Sequence, residues 1–88
     1  NPYFYMAKIC MYLENYEDAI EYFKKSMEID PQYKDTPQIS CDIAMCYKRL
    51  KMYEQSKEYF ERTLTLSPKL VFSKKFISDF RELIQSLG

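Results

Sequence analysis

The chain has 88 residues, 47% of them hydrophobic, with 13 basic and 13 acidic side chains and so a formal net charge of zero. That length gives one small domain, only marginally stable alone, and the balanced charge argues against a general polyanion binder. No apolar run is long enough to cross a bilayer and no signal-peptide pattern opens the chain; a start at Asn1 rather than Met is compatible with an excised piece.

The single glycine is terminal, at Gly88, and there are only four prolines. Hairpin turns need such residues, so the expectation is an all-α chain. Asn1 to Leu13 read as the first helix, with Asn1 as a cap and Pro2 in the first turn. Tyr3, Met6, Ala7 and Cys10 fall at i, i+3, i+4 and i+7, and Ala7 marks a close helix approach. The turn at Glu14 and Asn15 is so short that the next helix must run back antiparallel. Asn15 is expected to tolerate the left-handed turn and to cap the second helix.

Tyr16 to Ile29 form an amphipathic second helix, with Tyr16, Ala19, Ile20, Phe23, Met27 and Ile29 as its apolar set. Its outer face carries Glu17, Asp18, Glu21, Lys24, Lys25 and Glu28, and Pro31 stops it. After the loop Asp30 to Pro37, a third helix runs from Pro37 to Leu50, with Thr36 as its cap. A fourth spans Tyr53 to Leu66 before Pro68. Tyr16, Ala19, Phe23, Ser26 and Pro31 return as Tyr53, Ser56, Phe60, Thr63 and Pro68, each 37 positions on, the distance from 31 to 68. Tyr3, Met6, Ala7 and Cys10 return in the same register as Ser40, Ile43, Ala44 and Tyr47. From a cap at Ser73, Phe76, Ile77, Phe80, Leu83, Ile84 and Leu87 make the apolar face of a fifth helix, which closes the exposed end of an array of helix pairs.

These landmarks resemble the tetratricopeptide repeat, whose signature is a large, an apolar, a small and an aromatic residue on one helix. A small residue, an aromatic and a small residue follow on the next, and then a proline. The departures are Cys10 for the aromatic, Ser40 for the large residue and β-branched Thr63 for a small one. The spacing of 37 rather than 34 puts three extra residues near Tyr33 to Thr36, where they would disturb the stacking of the second pair. The resemblance implies one domain over 1–88, with repeat one at 1–34, repeat two at 37–68 and a capping helix at 73–87. It further implies a right-handed superhelix with the first helix of each pair lining the concave surface. There the groove residues would be Phe4, Tyr5, Lys8, Met11 and Tyr12, then Cys41, Asp42, Met45, Lys48 and Arg49.

An apolar, aromatic patch beside a small cationic one suits a peptide or helix from a partner protein. The expected role is a protein-binding or scaffold module in a larger intracellular assembly. Alternatives are self-association, packing of Phe4, Tyr5 and Tyr12 against further repeats of a longer chain, and an adaptor for chaperone tails. Family members of the last kind grip acidic C-terminal tails with Lys, Asn and Arg. Here Lys8 and Asp42 stand at the Asn places, and an aspartate would repel a carboxylate.

Catalysis finds no support. With no His, neither a Ser–His nor a Cys–His pair can be built. Glu17, Asp18, Glu21, Glu54, Glu58 and Glu61 read as solvated outer faces. Cys10, Cys41 and Cys46 are odd in number and lack C-x-x-C spacing, so reduced thiols, a cytoplasmic or nuclear location and no zinc site are expected. No cofactor, nucleic acid or membrane is expected as a partner; Lys69, Lys74 and Lys75 read as a solubilising patch.

Overall fold

In the computed structural model, which describes the backbone of residues 1–88 and the side chains of 1–34 and 36–88, five helices follow one another. They are α1 (Pro2–Tyr12), α2 (Tyr16–Ile29), α3 (Pro37–Arg49), α4 (Tyr53–Leu66) and α5 (Lys74–Leu87). Pro31–Asp35 and Pro68–Phe72 form 3₁₀ turns, and there is no strand among the described residues.

The helix ends show which local chemistry operates. Asn1 Oδ1 accepts from the Tyr3 amide at 3.0 Å, and its Nδ2 donates to the Ser26 carbonyl at 3.1 Å, tying α1 to α2. Ser73 Oγ accepts from the Phe76 amide at 3.3 Å. Asn15 and Thr36 depart from expectation. Asn15 donates to the Asp18 carboxylate at 2.8 Å, and the Thr36 hydroxyl donates to the Gln32 carbonyl at 3.4 Å, so neither side chain caps its helix.

The left-handed turn residue is Glu14, with φ of 62°, not Asn15. The Asn15 amide reaches the Cys10 carbonyl at 2.7 Å and the Glu14 amide reaches Met11 at 2.9 Å, a Schellman closure that requires the residue after the cap to be left-handed. The second pair repeats it 37 residues on. Lys51 has φ of 63°, and the Met52 and Lys51 amides bond Tyr47 and Lys48.

Close crossings fall where the small residues do. Ala7, Ala19, Ala44 and Ser56 are fully buried, and Ser56 Oγ donates to the Ala44 carbonyl at 2.7 Å. Two cores result. One joins Ala7, Ala19, Ile20, Phe23, Ile39, Ile43, Cys46 and Tyr47; the other joins Ala44, Phe60, Phe76 and Leu83.

The extra residues do not disturb the stacking, because the 3₁₀ turn that contains them is part of the packing. Tyr33 stacks on Phe4, with ring centroids 5.7 Å apart and planes 6° from parallel. Its counterpart Leu70 packs into the second core. The turn also recurs in register: α5 begins at Lys74, 37 positions after Pro37 begins α3. The last helix thus stands as a third first-helix of the array, and its α4-facing side buries Phe76 and Leu83.

Candidate functional site

One helix of each pair, together with α5, builds one face of the molecule: α1, α3 and α5 are joined side by side by ion pairs. Lys8 Nζ meets Asp42 Oδ2 at 3.0 Å, and Lys48 Nζ meets Glu82 Oε2 at 3.2 Å. Each pair links a lysine to an acid 34 positions later, so the two form successive rungs. Asp42 is buried, and its second oxygen accepts from Gln38 Nε2 at 3.1 Å. A carboxylate this buried needs partners for both oxygens, and it has them.

Two recesses open between α3 and α5. One, of about 190 Å³, is lined by Cys41, Asp42 and Met45 from α3 and by Lys75, Phe76 and Asp79 from α5. The other, of about 280 Å³, is lined by Met45, Lys48 and Arg49 and by Asp79, Glu82 and Ser86. Met45 and Asp79 belong to both. A further crevice at Glu58, Tyr59 and Arg62 lies on α4, where Arg62 bonds back to the Lys34 carbonyl at 3.1 Å.

The five groove positions expected on α3, Cys41, Asp42, Met45, Lys48 and Arg49, are therefore brought together around these recesses. The five on α1 line neither of them. Phe4 turns inward, stacked on Tyr33 and edge-on to Phe23 at 6.3 Å. Met11 is half-buried against the first core, Lys8 is held by Asp42, and Tyr5 and Tyr12 stand exposed. Sequence reasoning missed the wall supplied by α5: Lys75, Asp79, Glu82 and Ser86. The signal was present, since Asp79, Glu82 and Ser86 lie 37 after Asp42, Met45 and Arg49.

Electrostatics leave the Cys41 and Cys46 thiols inert. Burial, and secondarily the nearby Asp42 carboxylate, push the Cys46 thiol up to about 12 and the Cys41 thiol above its ordinary value. Both are protonated at neutral pH, and a thiol is a poor nucleophile beside its thiolate. On the other side of the fold, Lys24 Nζ donates to Tyr47 Oη at 3.1 Å, and that hydrogen bond holds the lysine above its usual range. No group of three or more His, Cys, Asp or Glu side chains converges to hold a metal ion, and no helix is long and apolar enough to cross a membrane, among the described residues.

A family model described as Tetratricopeptide repeat matches residues 1–69. A search of curated proteins found no match. The family match spans well over half of the chain and the structure has the paired-helix architecture, so the chain belongs to the tetratricopeptide repeat family, whose repeats generally mediate protein–protein interaction.

Proposed function

We propose, proceeding from that family membership, that the face built by α1, α3 and α5 binds a segment of a partner protein within a larger multi-subunit assembly. The observation that carries the reading is the pair of recesses meeting at Met45. A methionine between two recesses offers an adaptable apolar anchor. Arg49 and Lys51 at the rim have no ion-pair partner among the described residues, and they favour acidic residues beside the anchoring side chain. A partner helix or extended segment with one bulky apolar residue flanked by carboxylates fits this chemistry.

The chaperone-tail reading is weaker, for a reason different from the one the sequence suggested. Asp42 does not project a bare charge, because Lys8 and Gln38 satisfy it. The same pairing occupies Lys8, so that lysine no longer offers its charge to a terminal carboxylate.

The test is selection of peptides from a random library on the immobilised chain, followed by measured affinities for the enriched sequences. The expected peptides share an apolar residue beside acidic ones, and Met45→Glu weakens them at least tenfold. Glu28→Lys, on the exposed outer face of α2, should leave them unchanged. Enriched peptides indifferent to Met45→Glu, or sensitive only to Glu28→Lys, would move the site off this face.

A further inference from the structure

The ladder of ion pairs across this face has one place where the acid is present and the lysine is replaced. Lys8 and Asp42 pair between α1 and α3, and the same two places 37 positions on, between α3 and α5, hold Met45 and Asp79. Gln38, which completes Asp42 from one turn earlier on α3, returns as Lys75 on α5. Asp42 thus has two partners, at 3.0 and 3.1 Å, whereas Asp79 makes no ion pair among the described residues. Lys75 lines the same recess as Asp79, but it stands exposed, and a lysine four residues before an acid is the weaker orientation of a helical pair. Asp79 is half-buried and, with Met45, borders both recesses.

We propose that Asp79 receives a cationic side chain, a lysine or arginine, of the segment bound on this face, in the way that Asp42 receives Lys8. On the groove reading above, on which this assignment rests, Arg49 and Lys51 meet the acidic residues of the segment; Asp79 meets a separate part of it. A segment that closes over Met45 takes water from the carboxylate between the two recesses. A carboxylate losing its water needs opposite charge and hydrogen-bond donors, and buried Asp42 has both. Within this chain Lys48 is already held by Glu82, and Met45 stands at the register place of Lys8, so the charge comes from the occupant. The stem of a lysine or arginine suits Met45, because its methylenes lie on the methionine while the charged head reaches the acid. Charge then orders the segment along the groove, with its cation beside Asp79 and its acidic residues toward Arg49 and Lys51 at the end of α3. A segment that brings a carboxylate to Asp79 is rejected by like charge.

Met45→Lys supplies the lysine within the chain and needs no ligand. In that background Asp79→Asn should lower the melting temperature, and added salt should shrink the loss. In the wild type Asp79→Asn should leave the melting temperature unchanged or raise it, since no partner is lost. Equal effects of Asp79→Asn in the two backgrounds overturn the proposal, because Asp79 then takes no cation from the side of Met45. Binding is read on an array of acetylated octapeptide amides. Each carries one leucine and two aspartates, with either lysine or norleucine (the lysine side chain without its ammonium) at each remaining position in turn. At one spacing from the leucine the lysine peptide should bind about tenfold more tightly than its norleucine twin. Asp79→Asn should remove that preference, and Glu28→Lys should keep it. Octapeptides that are lost on Met45→Ala yet bind as lysine and norleucine twins alike overturn the proposal and leave the groove reading standing. An array in which no octapeptide responds to Met45→Ala sinks the groove reading, and this assignment with it.

Discussion

Ile9, Cys46 and Leu83 occupy one register place at the two ends and in the middle of the array, yet only the last two are buried. In α5, Phe76, Phe80 and Leu83 turn onto the second core, and the opposite side shows mainly polar residues. At the register place of buried Ala7 and Ala44, α5 carries exposed Arg81. In α1 the residues at the register places of Phe80 and Leu83, Met6 and Ile9, are exposed. The lesson is that register alone does not decide burial in a repeat. Each unit supplies half of an interface, and a side chain's energetic worth depends on whether the other half is present.

The largest expected effect breaks this symmetry directly. Leu83→Ala should destabilise the chain by about 2–5 kcal/mol, the usual cost of emptying a buried leucine site. Ile9→Ala, at the same register place, should change stability by less than about 0.5 kcal/mol when measured at low micromolar concentration, since it removes exposed surface. Urea unfolding of both variants checks the contrast, and equal losses would show that α1 is covered. A second contrast uses the small residues. Ala44→Leu should cost about 1–3 kcal/mol by overpacking the crossing held by the Ser56–Ala44 bond, as should Ala7→Leu, whereas Arg81→Leu should be nearly neutral.

The fold was largely legible because helix pairs announce themselves locally. Apolar spacing, Ala7 and Ala44, and Pro31 and Pro68 located four helices and their crossings. What was not legible depended on geometry beyond one helix. Which of two adjacent residues takes the left-handed turn was set by the Schellman bonds to Cys10 and Met11, not by the preference of Asn15 over Glu14. Thr36 looked like a cap, but its hydroxyl found the Gln32 carbonyl of the 3₁₀ turn. The groove was half legible: the α3 positions gather around the recesses, but Phe4 turns to Tyr33, whose place in the core no periodicity revealed. The wall from α5 is hard to see in the sequence because that helix lacks the small residue and the following proline-ended helix that mark the first two pairs, although its groove residues keep the 37-residue register.

The two rungs of the groove differ in burial, and so should their removal. Lys8→Ala leaves buried Asp42 with Gln38 alone and should cost about 1 kcal/mol, discounted because the lysine itself is substantially exposed. Lys48→Ala should cost less, because Glu82 is largely solvated and loses little when abandoned. Thermal melts at low and high salt separate the two: the Lys48 pair should fade with salt and the Lys8 pair should persist. Equal, salt-insensitive losses would mean that Glu82 is more enclosed than its exposure indicates.

The mildest test of the end-to-middle contrast uses the thiol already at the shared register place. Cys46 is buried and protonated, so the folded chain should react with an aromatic disulfide reagent at Cys46 only at the rate of unfolding, whereas a cysteine placed at Ile9 should react at once. The pH dependence carries the same information. The Cys46 thiol ionises near 9 when unfolded and about 12 when folded. Below pH 9 both states hold the proton and the group contributes no slope. Between 9 and about 12 the unfolded chain loses it first, so stability falls as pH rises through that window. Cys46→Ser, compared with wild type by urea unfolding at neutral and alkaline pH, should remove part of that alkaline slope while Ile9→Cys adds none. A wild-type slope unaffected by Cys46→Ser would place the thiol in contact with water, and with it the middle of the stack.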